Sequence, residues 1–396
     1  MKASSCVLTV NGGSSSVRFA VFETGGALRR RLTGKVDRIG LSGTTLTATR
    51  LDEGTSVTHR IRGTGYRVAA DFLLDWLEAE GVFADVRAVG HRVVHGMTLT
   101  EPVRLTPRLV AQFRRIIPYD PEHLPQEIAL IEAIGRRWRG LPQVACFDTA
   151  FHRGMPRVAK LLPIPRRFAG HGIERYGFHG LSYTYLMERL RKLDPAAAKE
   201  RVILAHLGNG ASLAAVRAGR SIDTSMGFTP ASGLVMSARS GDLDPGLVYY
   251  LQQKERMTPA RFRQMVNHES GMLGVSGTSP DIRDLLKKAP RDPRAADAIA
   301  LFCYQAKKWI GAYAAALGGL DTLVFAGGIG ENAAAIRAQI CADLDFLGLR
   351  LDSKRNARNS SVISTGRSRV KVRIIPTDEE LMIAHLVTRV VSPKQS

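Results

Sequence analysis

The chain has 396 residues, enough for two domains of ordinary size. At 44% hydrophobic and 23% charged it has the composition of a soluble globular protein, which excludes a disordered, fibrous or bilayer-spanning chain. The formal net charge is +20, but the basic residues are dispersed, aromatics do not interleave with them, and no helix-turn-helix, finger or RNA-binding signature occurs; the charge reads as a basic surface suited to small anions, not as a nucleic-acid footprint.

The N-terminus runs straight into a strand and leaves no room for a separate signal peptide. Cys6, Cys146, Cys303 and Cys341 lack metal-like spacing, and free thiols in a reducing cytoplasm are expected. Residues 7–23 read VLTVNGGSSSVRFAVFE: an apolar strand, a small polar loop, and a second strand. In that loop Asn11, Gly12, Gly13, Ser14, Ser15 and Ser16 place small donors side by side, and Arg18 follows. Glycine lets backbone amides approach an anion, successive amides form a nest, and arginine adds a fork of donors. An ordinary hairpin turn would have the same look. Residues 28–62 predict further antiparallel strands, and residues 66–81 a helix with Val68, Phe72, Leu73, Trp76 and Leu77 on one face. A short strand, residues 88–94, ends at His91, Arg92 and His95. Arg92 there binds either a carboxylate or phosphate, or a partner within the sheet. Two helices follow, separated by a rigid loop with Pro118, Pro121 and Pro125. The strand 144–147 runs into Asp148 and Thr149, where catalysis and helix capping compete as readings.

Residues 156–172 form a connector, and His179 stands before a helix expected over 182–190. His179 suits a hydrogen bond to a transferring group, or a structural role. Residues 201–216 repeat the strand–glycine–strand pattern around Gly208-Asn209-Gly210, and a third glycine loop, 327–332, follows the strand 323–326. Three such loops suggest two related halves facing one phosphate-bearing ligand. The stretch 221–244 is a long polar loop whose one arginine, Arg239, is flanked by small residues that leave it free to reach a ligand. Ser279-Pro280-Asp281 opens a helix whose N-terminus suits an anion or nucleotide. A long helix over 295–317, a helix over 333–341, one or two strands within 360–372 and a last helix opening at residues 377–380 complete the chain.

The motifs NGGSSSVRF, GHRVVHG, CFDTAFH, RYGFHG, AHLGNGASL, SIDTSMGFTPASG, ARSGDLDP, ESGMLGVSG, AGGIGEN and TDEE, in that order, resemble the acetate kinase family of the actin, Hsp70 and sugar-kinase superfamily. The resemblance runs from about residue 6 to 388. It implies an α/β fold of duplicated actin-like (ribonuclease H-like) ATPase domains, each with a five-stranded mixed sheet, around a central cleft. Domain boundaries are expected at 1–148, completed by 379–396, and at 149–378, the second domain carrying nucleotide loops and the interface of a homodimer. The implied activity is reversible transfer of the γ-phosphoryl of ATP to a short carboxylate, with acetate first and propionate, butyrate or a hydroxy acid as alternatives, giving an acyl phosphate and ADP in the cytoplasm. A nucleotide-binding regulatory module is the competing class.

The roles implied by the resemblance are specific. Asp148, His179 and Arg239 match catalytic positions; Arg92, Val94, Tyr119, Phe178 and Pro230 match the acyl-substrate site. Arg18, Ser14 and Ser16, the run His206, Leu207, Gly208, Asn209 and Gly210, the trio Asp281, Ile282 and Arg283, and Gly328, Ile329, Gly330, Glu331 and Asn332 match ATP/ADP contacts. Asn11 and Glu379 match the residues associated with Mg²⁺ or Mn²⁺. Arg18 stands where the family has a lysine near the phosphates, and further departures cluster, several of them near the acyl pocket: Gly96-Met97-Thr98-Leu99 is one residue short, Tyr119 and Asp120 replace a Leu-His pair, and Leu181-Ser182-Tyr183 replaces Thr-Ser-His. Tyr119 and Asp120 are thereby expected to add polar groups to the pocket wall.

Overall fold

The computed structural model describes residues 5–13, 16–40, 42–63 and 65–392. The chain divides into two compact units, Met1–Ala150 with Asp378–Ser396, and Phe151–Thr377.

The first unit holds β1 (Cys6–Gly12), β2 (Val17–Glu23), β3 (Arg29–Asp37), β4 (Thr45–Arg50), β5 (Thr55–Arg60), α1 (Tyr66–Ala79), β6 (Val86–Val93), β7 (Val103–Arg104), α2 (Pro107–Arg115), α3 (Leu124–Arg137) and β8 (Gln143–Phe147). Its sheet has the order β5-β4-β3-β2-β1-β6-β8-β7. β1 runs antiparallel to β2 and parallel to β6, so it is the point where the sheet changes sense. It is buried along its whole length, which explains its continuous apolar run in place of alternation. The last helix of the chain, Glu379–Val391, packs on this sheet. It crosses so closely at Gly90 that a Cβ there would lie 2.5 Å from both Ile383 and Val387.

The second unit holds α4 (Arg157–Lys160), α5 (Gly180–Leu193), β9 (Arg201–Leu207), β10 (Ala211–Arg217), β11 (Arg220–Thr224), α6 (Pro245–Lys254), α7 (Pro259–Gln264), α8 (Gly271–Ser276), α9 (Ile282–Lys288), α10 (Pro293–Leu317), β12 (Thr322–Ala326), α11 (Gly327–Asn332), α12 (Ala334–Cys341), α13 (Ser353–Ala357) and β13 (Lys371–Ile374). Its sheet order is β11-β10-β9-β12-β13. β9 pairs antiparallel with β10 and parallel with β12, as β1 does with β2 and β6. The run β3-β2-β1-β6-β8 of the first sheet therefore has the same strand senses as the whole of the second. This is the duplicated actin-like plan that the resemblance implies.

Three expectations need correction. The first sheet has eight strands among the described residues, not five, because the β4–β5 hairpin extends one edge and the two-residue β7 caps the other. The stretch 327–332 is the short helix α11 and not a loop, since Glu331 Oε1 accepts the Gly327 N–H at 2.8 Å and satisfies a donor at the helix start. Residues 360–372 contribute isolated bridges at Val362 and Ser364 before β13. Elsewhere the differences are of boundary: α3 begins at Leu124, with Pro125 in its first turn, where a missing N–H is harmless. All four cysteines are free and buried. Among the described residues no helix is long and apolar enough to cross a membrane.

Candidate active site

In the first unit the buried ends of β1, β6 and β8 converge. Arg92, near the end of β6, donates from Nε and Nη2 to Asp148 Oδ2 at 2.8 and 2.6 Å, and from Nη1 to the Gly12 carbonyl at 2.8 Å. Both sequence readings of Arg92 meet here: it has a partner within the fold, and that partner is the candidate catalytic aspartate. Asp148 is not a helix cap. Its Oδ1 is buried without a hydrogen-bond partner among the described residues. Burial opposes the Arg92 charge, but the carboxylates of Asp148, Glu127 and Glu379 outweigh it and hold the guanidinium firmly protonated.

Asn11, near the end of β1, donates from Nδ2 to Glu379 Oε2 at 2.8 Å and Glu380 Oε1 at 3.2 Å. Burial pushes the Glu379 carboxyl up, and the nearby Asp148 pushes it further. Burial and Glu379 do the same to Glu380. Crowded oxygen donors of this kind fit a hard divalent cation, and the unpartnered Asp148 Oδ1 adds one more. Among the described residues no group of three or more His, Cys, Asp or Glu has a metal-holding arrangement. Arg18 is exposed on β2, in a hollow shared with Lys35, Asp37 and Glu380. The turn before it is closed by Gly13 N–H to Ser16 O at 2.8 Å; Ser14 lies outside the described residues.

The Tyr119–Asp120 segment corrects the sequence reading. Asp120 is 2% exposed, and its Oδ1 accepts from the backbone of Glu122 and His123 while facing His123 Nδ1 at 2.9 Å. Its carboxylate is spent inside the α3 entry turn and does not add an acidic group to a pocket wall. Tyr119 makes a tilted ring contact with His95 at 5.7 Å. Val94 is fully buried, and its N–H donates to Glu127 Oε2 at 3.0 Å.

In the second unit three segments gather around Gly210. A Cβ there would lie 3.1 Å from His179 Nε2 and 3.8 Å from Arg239 Nη1, so the absence of a side chain keeps both groups accessible to one point. His179 has φ +59°, an uncommon conformation for a residue with a Cβ, enforced at the start of α5. Its Nδ1 pairs with Ser212 Oγ at 2.8 Å, which Tyr183 Oη also reaches at 2.5 Å, and its ring stacks on His206 at 4.3 Å. His206 Nδ1 pairs with Ser182 Oγ at 2.8 Å, and Ser182 with Thr377 Oγ1 at 2.7 Å. Of the departures at 181–183, Tyr183 enters this network beside Ser182, which the family motif shares. Contrary to the expectation from its small neighbours, Arg239 is not free: Nη1 donates to the Pro230 carbonyl at 3.3 Å. Phe178 and Leu207 are buried, and Ile282 is 6% exposed. Asp281 caps α9 and binds Arg283, an internal use of both side chains. Gly328 has open space where a Cβ would stand, and a Cβ on Gly208 would lie 3.9 Å from Gly328 N, so the two glycine segments approach each other along their backbones. Between Gly208 and Gly210, the Asn209 carbonyl accepts the Ser237 N–H at 3.2 Å.

Several residues in these networks escaped the sequence reading. Glu127 lies on the apolar face of α3 with Leu124, Ile131 and Ile134, and a carboxylate at that spacing is a readable signal. Ser212, Tyr183 and Ser182 carry no such mark. Arg337 is fully buried without a carboxylate partner among the described residues; it donates to Asn356 Oδ1 and O, to Asn359 Oδ1, and to the carbonyls of Gly330 and Glu331 in α11. His152, buried between Ser221 Oγ and the Phe178 carbonyl, fixes the backbone just before His179.

The acetokinase family pattern matches residues 6–385. The chain is 44% identical over 404 residues to an acetate kinase of Rhodopseudomonas palustris, with 98% of each chain covered. It is 41% identical over 391 residues to a propionate kinase of Citrobacter rodentium, covering 97% of this chain and 96% of the other. Among solved structures it resembles a Porphyromonas gingivalis acetate kinase (TM-score 0.86, 38% identity, 98% and 100% covered) and a Francisella tularensis propionate kinase (TM-score 0.91, 35% identity, 98% and 100% covered). The match over nearly the whole of each chain means that this protein belongs to the acetokinase family.

Proposed function

We propose that the protein is an ATP-dependent carboxylate kinase of the acetate type, transferring the γ-phosphoryl of ATP reversibly to acetate to give acetyl phosphate and ADP. The observation that carries this reading is Arg92, a part-buried guanidinium at a strand end, already oriented by Asp148 and by the Gly12 carbonyl. Arg92 would bind the substrate carboxylate, with Val94, Tyr119, Phe178 and Pro230 around the acyl group. Because the nucleophile is an ionised carboxylate, no general base is needed, and Asp148 serves as an organiser. His179 and Arg239 would stabilise charge on the equatorial oxygens of the transferring group, the main requirement of phosphoryl transfer. The glycine-rich segments at 208–210 and 328–330, with Arg18 and Ser16, would hold the nucleotide phosphates. Asn11 and Glu379 would hold Mg²⁺, which supplies neutralisation of phosphate charge when bound. A homodimer is the expected assembly, to be checked by light scattering.

The test is ADP release and hydroxamate formation with acetate, propionate, butyrate, glycolate and lactate. Acetate and propionate should both turn over, since a methylene in an apolar pocket changes discrimination by only about 1–3 kcal/mol. Propionate is the second reading, favoured by the similarity to two propionate kinases. No acyl phosphate from any of these acids would sink the kinase reading. An unchanged substrate ranking in Tyr119→Leu would remove Tyr119 from the acyl site.

A further inference from the structure

Glu127 is a carboxyl group that the proposed reaction does not use. It is 3% exposed, yet its two oxygens meet the two residues that the reading above assigns to the carboxylate substrate. Oε2 accepts the Val94 N–H at 3.0 Å, and Oε1 lies 4.0 Å from Arg92 Nη1 without a hydrogen-bond partner among the described residues. Arg92 is already claimed on its other edge by Asp148, at 2.6 Å. The groups that face Glu127 are Arg92 from β6, Asp148 beyond β8, Asp120 ahead of α3 and Tyr66 from α1. One cation thus stands among three carboxyl groups, with a second cation absent from that set. The side of α1 is closed tightly: a Cβ on Gly12 would lie 2.8 Å from Tyr66 Oη and 3.8 Å from Glu127 Cγ.

We propose that Glu127 is a positioning residue that, as a neutral carboxylic acid, seats Arg92 and Val94 for the carboxylate substrate, and that its ionisation turns it into a competitor for the Arg92 guanidinium. The neutral form keeps the Val94 hydrogen bond and leaves Arg92 one carboxylate partner. The ionised form, having lost its proton to solvent, places a second negative charge beside Arg92 and against the incoming anion. Burial drives the Glu127 carboxyl up to about 8, against the opposing pull of Arg92 and the Val94 hydrogen bond, while Asp120 and Asp148 add to the rise.

This inference rests on the reading of Arg92 as the carboxylate binder. The test is the KM for acetate by ADP release, in the wild type and in E127Q, with the KM for ATP measured alongside. If the ionised form does not bind acetate, the wild-type KM for acetate rises about tenfold between pH 7 and pH 9, and that of E127Q stays flat, with no matching rise for ATP. A climb in E127Q equal to that of the wild type, or a flat profile in both, overturns the proposal. R92A separates the two readings: an unchanged acetate KM in R92A refutes the role of Arg92, whereas a raised one beside a climbing E127Q refutes only that of Glu127. Should E127Q fail to fold, ¹³C titration of the glutamate carboxyls in the wild-type protein, assigned through E127D, gives the same decision. A Glu127 signal titrating above pH 7 supports the proposal, and one titrating below that pH overturns it.

Discussion

Truncating Arg92 to alanine tests the proposed site most directly. The change removes three hydrogen bonds, two to Asp148 Oδ2 and one to the Gly12 carbonyl. It leaves Asp148, 1% exposed, without its counter-ion. Breaking one side of a buried pair costs about 3–5 kcal/mol, so the first unit should lose stability on that scale in urea. The functional loss is separate. A guanidinium bound to the substrate carboxylate contributes charge-assisted hydrogen bonds of about 1.5–3 kcal/mol each, so kcat/KM for acetate should fall about 10²-fold or more. The KM for ATP should move far less. Asp148→Asn placed on top of Arg92→Ala should restore part of the stability, because it removes the stranded charge, but none of the activity. Steady-state ADP release with acetate varied at saturating ATP, then the reverse, supplies the comparison. Equal losses for acetate and ATP, or recovery of activity in the double variant, would refute the carboxylate role and leave Arg92 a structural residue.

Three further outcomes are expected. Arg337→Met should destabilise the second unit by several kcal/mol in urea, on the order of 1 kcal/mol for each stranded buried acceptor, and should raise the KM for ATP because the Gly330 and Glu331 carbonyls lose their donor. Tyr66→Phe should be neutral or stabilising, since Tyr66 Oη is buried without a hydrogen-bond partner among the described residues, and it should relieve the clash introduced by Gly12→Ala; thermal unfolding of the two single variants and the double variant checks both points. Burial lowers His91, His95 and His152 to about 4 each. The unfolded chain binds protons at these positions below about pH 6.5 and the folded chain does not until about pH 4, so stability should fall as pH drops through that window. Urea midpoints measured across that window should decline, and His152→Gln should shallow the slope.

Much of the fold was legible because its central elements obey simple rules. β1 and β2 announce themselves as apolar runs around a polar turn, and β9 and β10 repeat the pattern with Gly208 and Gly210. Local preference misled at 327–332, where Gly327, Gly328, Gly330 and Asn332 have the look of a loop. There the Glu331 side chain reaches back to Gly327 N and forward in sequence to Thr377 N at 3.1 Å, and these tertiary bonds outweigh the preference of glycine. The width of the first sheet was missed for a different reason: residues 28–62 read as further antiparallel strands, and β3, β4 and β5 do lie there, but the five-stranded plan implied by the resemblance leaves no place for the β4–β5 hairpin.

The candidate site shows a sharper division. Residues that would touch a ligand stand in glycine-rich or strand-end contexts that sequence marks well, as with Asn11, Arg92, Asp148 and Gly210. Residues that hold them in place come from elsewhere and have no local signature. Asp120 reads as an acid offered to a pocket, yet its carboxylate closes the α3 entry turn against His123. Ser212 reads as a small residue in a strand, yet it fixes His179 Nδ1. Glu127 reads as one charge too many on an apolar helix face, and that conflict is itself the clue. A buried acid survives in a core only with a hydrogen bond, a cation or a proton to offset its desolvation. At Glu127 the hydrogen bond comes from Val94, the cation is shared with Asp148, and the proton supplies the rest. The cost of burying this group is therefore linked to the same guanidinium that the substrate needs, and this linkage gives a residue outside the reacting atoms a means of setting affinity.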